Sequence, residues 1–277
     1  MELPDLDQED GERWSVCVVD ADVGAELAGL DPDLVLSTAS VAKVFALVEL
    51  SSRLETGELQ AGTSLDRRTV APVHDSGLWH LMAVDELSVE DVAVLVGAVS
   101  DNLATNVLLD LLGIEAVQDR ASQLAPGGST LHDHVRDERQ SHHPEMLSSG
   151  CARDWAGLFG QLHRGELLTP EVSGRVLGWC AGNADLSMVA SALDLDPLSH
   201  GQADLGLRLW NKTGTDRGVR ADVGLVRGPR RSVAYAAICN WDDSGTAHRR
   251  RQVLTGMRAI GERIRAHVES PADPGPV

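Results

Sequence analysis

The junction at residues 37–48 constrains the fold most strongly, because Ser-Thr-Ala-Ser-Val-Ala-Lys leads directly into the apolar run Val-Phe-Ala-Leu-Val. The apolar segment 34–36 is typical of a short strand, and the run after the junction predicts a buried helix. If that helix begins near Ser40, then Ser40 and Lys43 lie one turn apart on one face. A lysine of lowered pKa can activate a serine hydroxyl as a nucleophile. The same pattern also fits a helix capped by Ser40, with Lys43 in solvent.

Two further clusters change the balance between these interpretations. Ser-Asp-Asn stands at 100–102, between predicted helices at 87–99 and 103–112, and Lys-Thr-Gly-Thr stands at 212–215, at the end of a predicted strand. Each cluster alone is a weak signal. Their order and spacing after Ser40 match the three-part signature of class A β-lactamases and penicillin-binding proteins. The chain therefore resembles this superfamily of active-site serine hydrolases over nearly its whole length.

The resemblance implies four catalytic roles. Ser40 would attack the carbonyl carbon of an amide or β-lactam and form an acyl-enzyme. Lys43 would act as a base for that step. Ser100 would relay a proton to the departing nitrogen, and Lys212 would keep the cleft positive and orient Ser100.

The resemblance also implies a substrate-binding set. Asn102 would hydrogen-bond the amide of the substrate's side chain. The backbone N–H groups of Ser40 and Thr215 would form an oxyanion hole, in which each donor is typically worth roughly 3 kcal/mol to the transition state. The hydroxyls of Thr213 and Thr215 would meet a substrate carboxylate, with Gly214 between them on the same strand.

Two more residues have a binding role or a plain structural one. Arg220 stands where some class A enzymes carry a carboxylate-binding arginine, and a guanidinium suits a carboxylate because it binds in a bidentate way. It also fits an ordinary surface arginine. Trp79 stands where relatives place an aromatic ring at the mouth of the cleft, and it fits a core tryptophan equally well.

The sequence departs from the family in the loop that should activate the deacylating water. Class A β-lactamases carry a Glu-x-x-Leu-Asn pattern there, and residues 131–149 lack it. Glu145 and Glu138 are the candidates for deacylation, with Asp137 beside them and His134 or His143 as a substitute base. The missing pattern favours an alternative function: a penicillin-binding or acyl-transfer protein (peptidase, esterase or transacylase) with slow or no β-lactam turnover.

Histidines in the same loop raise the question of a metal site. His-x-His pairs bind zinc when a third ligand converges, but the spacing here matches no known metal pattern and fits a solvated loop better. We expect no metal and no cofactor. The histidines concerned are His132, His134, His142 and His143.

Strands are predicted near both ends of the chain and helices in the middle. This order predicts an α/β (α+β) fold, with an antiparallel sheet of about five strands flanked by helices and an inserted all-helical lobe. We predict one domain, with an α/β lobe formed by 13–37 and 205–268 and a helical lobe over 38–204. The ends, 1–12 and 269–277, are predicted to be disordered. The active site would lie in the cleft between the lobes.

The composition limits the kinds of partner that the chain could bind. The net charge of −18 argues against nucleic acid, which requires a clustered basic face. No segment is long and apolar enough to cross a membrane. The acidic start predicts a cytoplasmic protein, or a secreted one if a signal segment has been removed. The four separated cysteines fit buried reduced thiols. We expect a monomer whose partner is a small amide or β-lactam carrying a carboxylate.

Overall fold

The computed structural model describes residues 1–6, 11–204, 206–242 and 247–270. The first strand, β1 (Arg13–Asp20), shows how the core is divided. Val16 and Val18 point to one face of the sheet, whereas Cys17 and Val19 point to the other, because successive side chains of a strand alternate. Each face is buried against its own helices, so β1 contributes to two hydrophobic cores.

Nine more strands follow β1 in the described part of the chain. They are β2 (Glu26–Leu30), β3 (Leu36–Ser37), β4 (Ser64–Asp66), β5 (Glu86–Ser88), β6 (Thr130–Leu131), β7 (Ser148–Gly150), β8 (Arg208–Asp216), β9 (Val219–Arg227) and β10 (Ser232–Asn240). Five of them form the main antiparallel sheet, in the order β2-β1-β10-β9-β8. The predicted fold class, with a sheet built from both ends of the chain, is confirmed. Strand β8 lies at the edge of this sheet, where its outer backbone can face a ligand.

The described residues form seven α-helices. They are α1 (Lys43–Glu55), α2 (Val89–Val99), α3 (Asn102–Leu112), α4 (Ile114–Leu124), α5 (Ala152–Arg164), α6 (Pro170–Cys180) and α7 (Ala247–Glu269). Of these, α5, α6 and α7 contact strands of the main sheet. Helix α1 is buried all round over residues 43–51, as the apolar run predicts. Helix α2 begins where Ser88 Oγ accepts the Asp91 N–H at 3.1 Å, a hydrogen bond that caps the helix.

The first six residues of the chain, which belong to the segment predicted to be disordered, contact the body of the protein. Leu6 is buried in the core on the α7 face of the sheet, and the Met1 amino group donates to the Leu27 carbonyl. Helix α7 extends to Glu269, one residue beyond the predicted boundary of the α/β lobe at 268. Within the predicted tails, residues 7–10 and 271–277 lie outside the described residues, as do residues 205 and 243–246 of the predicted lobe.

Residues 129–149 are expected to form a polar loop, and short strands interrupt it. Strand β7 pairs with β3 and β6 to form a second, three-stranded sheet beneath the Ser40 segment. The Ser148 hydroxyl on β7 donates to the Ala39 carbonyl at 2.6 Å. This small sheet therefore supports the backbone next to the predicted nucleophile.

Candidate active site

Ser40 lies in a 3₁₀ turn, Ala39–Ala42, and α1 begins only at Lys43. Ala39 has a φ of 48°, which is unusual for a residue with a side chain. Backbone strain of this kind persists where neighbours enforce it. Here Ser148 binds the Ala39 carbonyl, and Thr38 Oγ1 lies 2.7 Å from Ser148 Oγ. The turn presents Ser40 to a cavity of about 680 Å³.

Lys43 is fully buried beneath this cavity. Its amine donates to the Ser100 carbonyl at 2.7 Å, to Asn102 Oδ1 at 2.7 Å and to Ser100 Oγ at 3.3 Å. In the described part of the chain it makes no hydrogen bond to Ser40 Oγ. Burial, together with the nearby Lys212 cation, holds the pKa of Lys43 well below its usual value. The amine is therefore suited to accept a proton.

Ser100 stands between two buried amines. It ends α2 in the left-handed conformation, with φ 55° and ψ 33°. Its Oγ lies 2.8 Å from Lys212 Nζ and 3.3 Å from Lys43 Nζ. A hydroxyl in this position can receive a proton from one amine and pass it to a substrate atom in the cavity. The predicted relay therefore has the geometry it needs.

Lys212 is equally buried, and its amine also donates to the Thr213 carbonyl at 2.8 Å. Burial lowers its pKa to about 8. The group is therefore still mostly protonated at neutral pH. A positive charge in a dry wall of the cavity favours an anionic substrate group.

Gly214 proves to be a packing residue. A Cβ atom there would overlap the Thr38 carbonyl oxygen and crowd the Ser40 backbone nitrogen. The absence of a side chain lets β8 pass directly against the nucleophile turn. Thr215 follows on β8 and lines the cavity together with Thr213 and Asn102. The structure thus brings the three motifs into one cavity.

Two predicted binding residues are placed elsewhere. The Arg220 guanidinium donates to the Asp216 and Val219 carbonyls at 3.0 and 2.7 Å, and it lies outside the cavity lining. Trp79 is completely buried, and its Nε1 donates to the Val84 carbonyl at 3.1 Å. It is a core tryptophan and is not at the cleft mouth.

The predicted deacylation residues also lie away from Ser40. Glu145 lines a separate cavity of about 450 Å³ with Arg13 and His132, and Glu138 lines neither cavity. His134 is likewise outside the lining, and His143 Nδ1 accepts the Gln140 N–H. The carboxylates that do line the main cavity are those of Asp75, Asp137, Asp185 and Asp216.

An asparagine clamp determines which part of the loop faces Ser40. Asn106 Nδ2 donates to the Val135 carbonyl, and the Val135 N–H donates to Asn106 Oδ1, each at 2.8 Å. Val135 and Leu147 therefore contribute apolar surface to the cavity wall. The sequence pattern did not reveal this clamp, although Asn106 follows Ser100 within the same motif segment.

Asp101 has a structural role that the motifs do not indicate. Its Oδ1 accepts the Ala104 N–H at 2.8 Å and caps α3. Its Oδ2 accepts the N–H groups of Leu78 and Trp79 at 2.6 and 2.8 Å. The loop packs so closely here that a Cβ at Gly77 would overlap the Asp101 side chain. Asp101 thus fixes the loop on the far side of the cavity.

The described residues contain no group of three or more His, Cys, Asp or Glu side chains able to hold a metal ion. Among the same residues, no helix combines the length and apolar character needed to cross a membrane. The four cysteines are buried and unpaired, and burial raises the pKa of Cys17 and Cys180 to about 12.

Comparison with known proteins gives a consistent result. The model of the β-lactamase enzyme family matches residues 2–268. No curated protein sequence matches the chain. Three solved structures illustrate the likeness in fold: a β-lactamase from Sphaerobacter thermophilus (22% identity, 94% and 92% of the two chains, TM-score 0.78), a β-lactamase from Burkholderia vietnamiensis (17%, 95% and 94%, 0.76), and a mutant of PBP-A in an acyl-enzyme complex with penicillin G (19%, 93% and 92%, 0.75).

Proposed function

The chain belongs to the β-lactamase enzyme family, and from this premise we propose that it forms an acyl-enzyme at Ser40 on an amide or β-lactam substrate. Family and fold support a serine β-lactamase-like hydrolase. One observation carries the finer proposal. Ser100 Oγ lies within 3.3 Å of the Lys43 amine and 2.8 Å of the Lys212 amine, on the cavity that Ser40 lines.

The acylation step uses these groups in sequence. Ser40 Oγ attacks the carbonyl carbon, and the neutral Lys43 amine takes its proton. The backbone N–H groups of Ser40 and Thr215 hold the oxyanion. When the C–N bond breaks, Ser100 gives its proton to the departing nitrogen, and the Lys43 ammonium replaces that proton. The leaving group departs as an amine, or stays attached when the substrate is a lactam.

A carboxylate on the substrate is the group that we assign to the β8 side of the cavity. Thr213 and Thr215 line that side, and the Lys212 ammonium lies behind them. A hydroxyl donor and a buried cation both favour an anion. Arg220 is not needed for this role, since its guanidinium binds backbone carbonyls at the end of the strand.

Slow release of the acyl group is the second part of the proposal. A deacylating water requires a general base within hydrogen-bond reach. The part of the loop clamped beside Ser40 offers Val135 and Leu147, whereas Glu145 lines another cavity. Asp137 and Asp185 line the main cavity, but the Asp137 carboxylate accepts the His74 N–H of a neighbouring loop and the Asp185 carboxylate accepts the Ser187 N–H of its own loop. These features favour a penicillin-binding or acyl-transfer protein over a rapid β-lactamase.

Intact-mass spectrometry after mixing with benzylpenicillin tests both parts. We expect an adduct on Ser40 that persists from minutes to hours, and none on Ser40→Ala. Ser37→Ala is the matched control, because it changes a serine of the same segment outside the main cavity. An adduct that decays within seconds, with hydrolysed drug accumulating, would refute slow release and retain the acyl-enzyme. No adduct with any penicillin or activated ester would refute the proposed function.

A further inference from the structure

Two loops face each other across one end of the cavity. The first, 72–78, contributes Asp75 and Ser76 to the lining, and the second, 132–139, contributes Val135 and Asp137. The Asp137 carboxylate joins them. It accepts the His74 N–H at 3.1 Å and the Asp75 N–H at 3.4 Å. The His74 ring also lies against it, with Nδ1 3.4 Å from Asp137 Oδ2. We call these contacts the Asp137 clasp.

Each loop is held at its base by separate contacts. Asp101 binds the first loop through the N–H groups of Leu78 and Trp79. In the second loop, the buried Asp133 carboxylate accepts hydrogen bonds from Arg136 and Arg139 at 2.7 and 2.9 Å. The bases are therefore fixed independently of Asp137. The clasp acts on the span between the loops, which determines the width of the cavity at this end.

The position of Asn102 shows which part of a substrate this end would receive. The Asn102 N–H donates to the Ser76 carbonyl at 3.0 Å, so the first loop lies directly beside it. The resemblance to the family assigns Asn102 to the amide of the acyl side chain, and Asn102 lines the same cavity as Ser40. The group attached to that amide then points toward the gap closed by the clasp. This step rests on the proposed function.

We propose that Asp137 is a specificity-determining residue, which limits the size of the acyl group by tying loop 72–78 to loop 132–139. A wide or branched acyl group must separate the loops and lose the hydrogen bonds to His74 and Asp75. A narrow, flexible group fits without this cost. The Asp137 side chain is 41% exposed, so its removal leaves the core intact.

The test compares the acylation of Ser40 by two penicillins, one with a flexible phenylacetyl side chain and one with a rigid 2,6-dimethoxybenzoyl side chain. Asp137→Ala is expected to raise the bulky-to-narrow ratio of second-order acylation constants roughly tenfold, the scale of discrimination that pocket shape supplies. The constant for the narrow substrate should stay within about twofold. Asp137→Asn, which retains one acceptor oxygen, should lie between.

Asp110→Ala is the matched control, because Asp110 is an exposed aspartate on α3 outside the cavity. It should leave the ratio unchanged. If Asp137→Ala leaves the ratio unchanged, or lowers both constants by the same factor, Asp137 has only a structural role and the inference is wrong.

Amide hydrogen exchange separates this failure from a failure of the proposed function. Asp137→Ala should speed exchange at His74 and Asp75 several-fold without changing the amides of α1. Unchanged exchange at those two amides would refute the clasp, whatever reaction Ser40 performs. If the wild-type protein acylates with neither penicillin and with no activated ester, the proposed function falls and the specificity role falls with it, even where the exchange result confirms the clasp.

Discussion

The two walls of the cavity differ in how their charged groups are satisfied. On the acylation side, Lys43 and Lys212 are fully buried and both donate to Ser100. On the loop side, charged residues bind one another and the backbone near the surface. Buried amines without a carboxylate partner have lowered pKa values, and such groups are available for proton transfer. Availability for proton transfer therefore depends more on whether a charged group has a partner of opposite charge than on how many charges a wall carries.

Asp133 illustrates the loop side. Burial opposes its ionisation, yet hydrogen bonds from Arg136, from the His134 N–H and from Arg139 hold the pKa of its carboxyl at about 2. A carboxylate stabilised in this way is a poor base, because it has little affinity for a proton. Asp133 is therefore held as the partner of two arginines and is not available as a general base.

The largest effect is expected from removing the base on the acylation side. Lys43→Met should lower the second-order acylation constant by roughly 10²- to 10⁴-fold, the usual contribution of general-base catalysis. Lys43→Arg should fail similarly, because an arginine stays protonated. Stopped-flow acylation with a chromogenic cephalosporin measures the constants. If either variant retained nearly full activity, Lys43 would not be the base for acylation.

The next effect concerns the contact between β8 and the nucleophile turn. Gly214→Ala should displace β8 from Ser40 and lower acylation by roughly 10²-fold or more, the scale of a lost oxyanion donor. Gly157→Ala is the matched control, since a Cβ at that helical position meets no atom within 4 Å. Circular dichroism checks that both variants are folded. Equal activity of the two would show that β8 tolerates a shift.

A general base placed on the loop side of the cavity should speed release of the acyl group. Val135→Glu puts a carboxylate on the wall that faces Ser40, at a position held by Asn106 through backbone atoms that survive the substitution. Release of the acyl group should accelerate roughly tenfold, below the 10²- to 10⁴-fold of an optimised base. Val135→Gln is the neutral control. Decay of the Ser40 adduct, followed by intact mass, gives the rates, and equal rates for Glu and Gln would contradict the interpretation.

Local patterns predict much of the acylation side and little of the loop side. The helix predicted at 87–99 and the three motifs are properties of short segments. The structure forms α2 over Val89–Val99 and places residues of all three motifs on one cavity. The Asp137 clasp joins residues 63 positions apart, and the contact of Gly214 with Thr38 crosses most of the chain. Such contacts depend on packing between elements, which periodicity and spacing do not encode.

The charge of Lys212 gives a smaller, pH-dependent effect. Its pKa of about 8 means that the ammonium is present below pH 8 and is lost as the pH rises. If the ammonium binds the substrate carboxylate, acylation should fall severalfold between pH 7 and 9. Lys212→Arg should acylate more slowly, but without this alkaline fall, because its charge persists. A pH profile of the acylation constant distinguishes the two. The same alkaline fall in the variant would assign it to another group.

The last effect concerns stability, not activity, and contrasts Asp222 with Asp133. Asp222 is completely buried on β9, and burial raises the pKa of its carboxyl to about 7 despite hydrogen bonds from Asn211, Ala190 and Tyr235. Because the folded state holds this proton more tightly than the unfolded state, the group's contribution to stability is full below about pH 4 and is lost as the pH rises toward 7. Asp133, with its lowered pKa, acts in the opposite direction and loses its contribution as the pH falls from about 4 to 2.

Urea denaturation of the wild type and of Asp222→Asn from pH 4 to 8 measures how the contribution of Asp222 to the free energy of unfolding changes with pH. The difference in unfolding free energy between wild type and variant should narrow as the pH rises from 4 to 7, by an amount on the order of a few kcal/mol, since each pKa unit corresponds to about 1.4 kcal/mol. Asp133→Asn should show almost no change above about pH 5, because Asp133 is then ionised in both the folded and the unfolded state. A constant difference for Asp222→Asn would mean that the buried carboxylate is ionised at all these pH values. Its three donors would then outweigh its burial, and Asp222 would resemble the satisfied carboxylates of the loop wall.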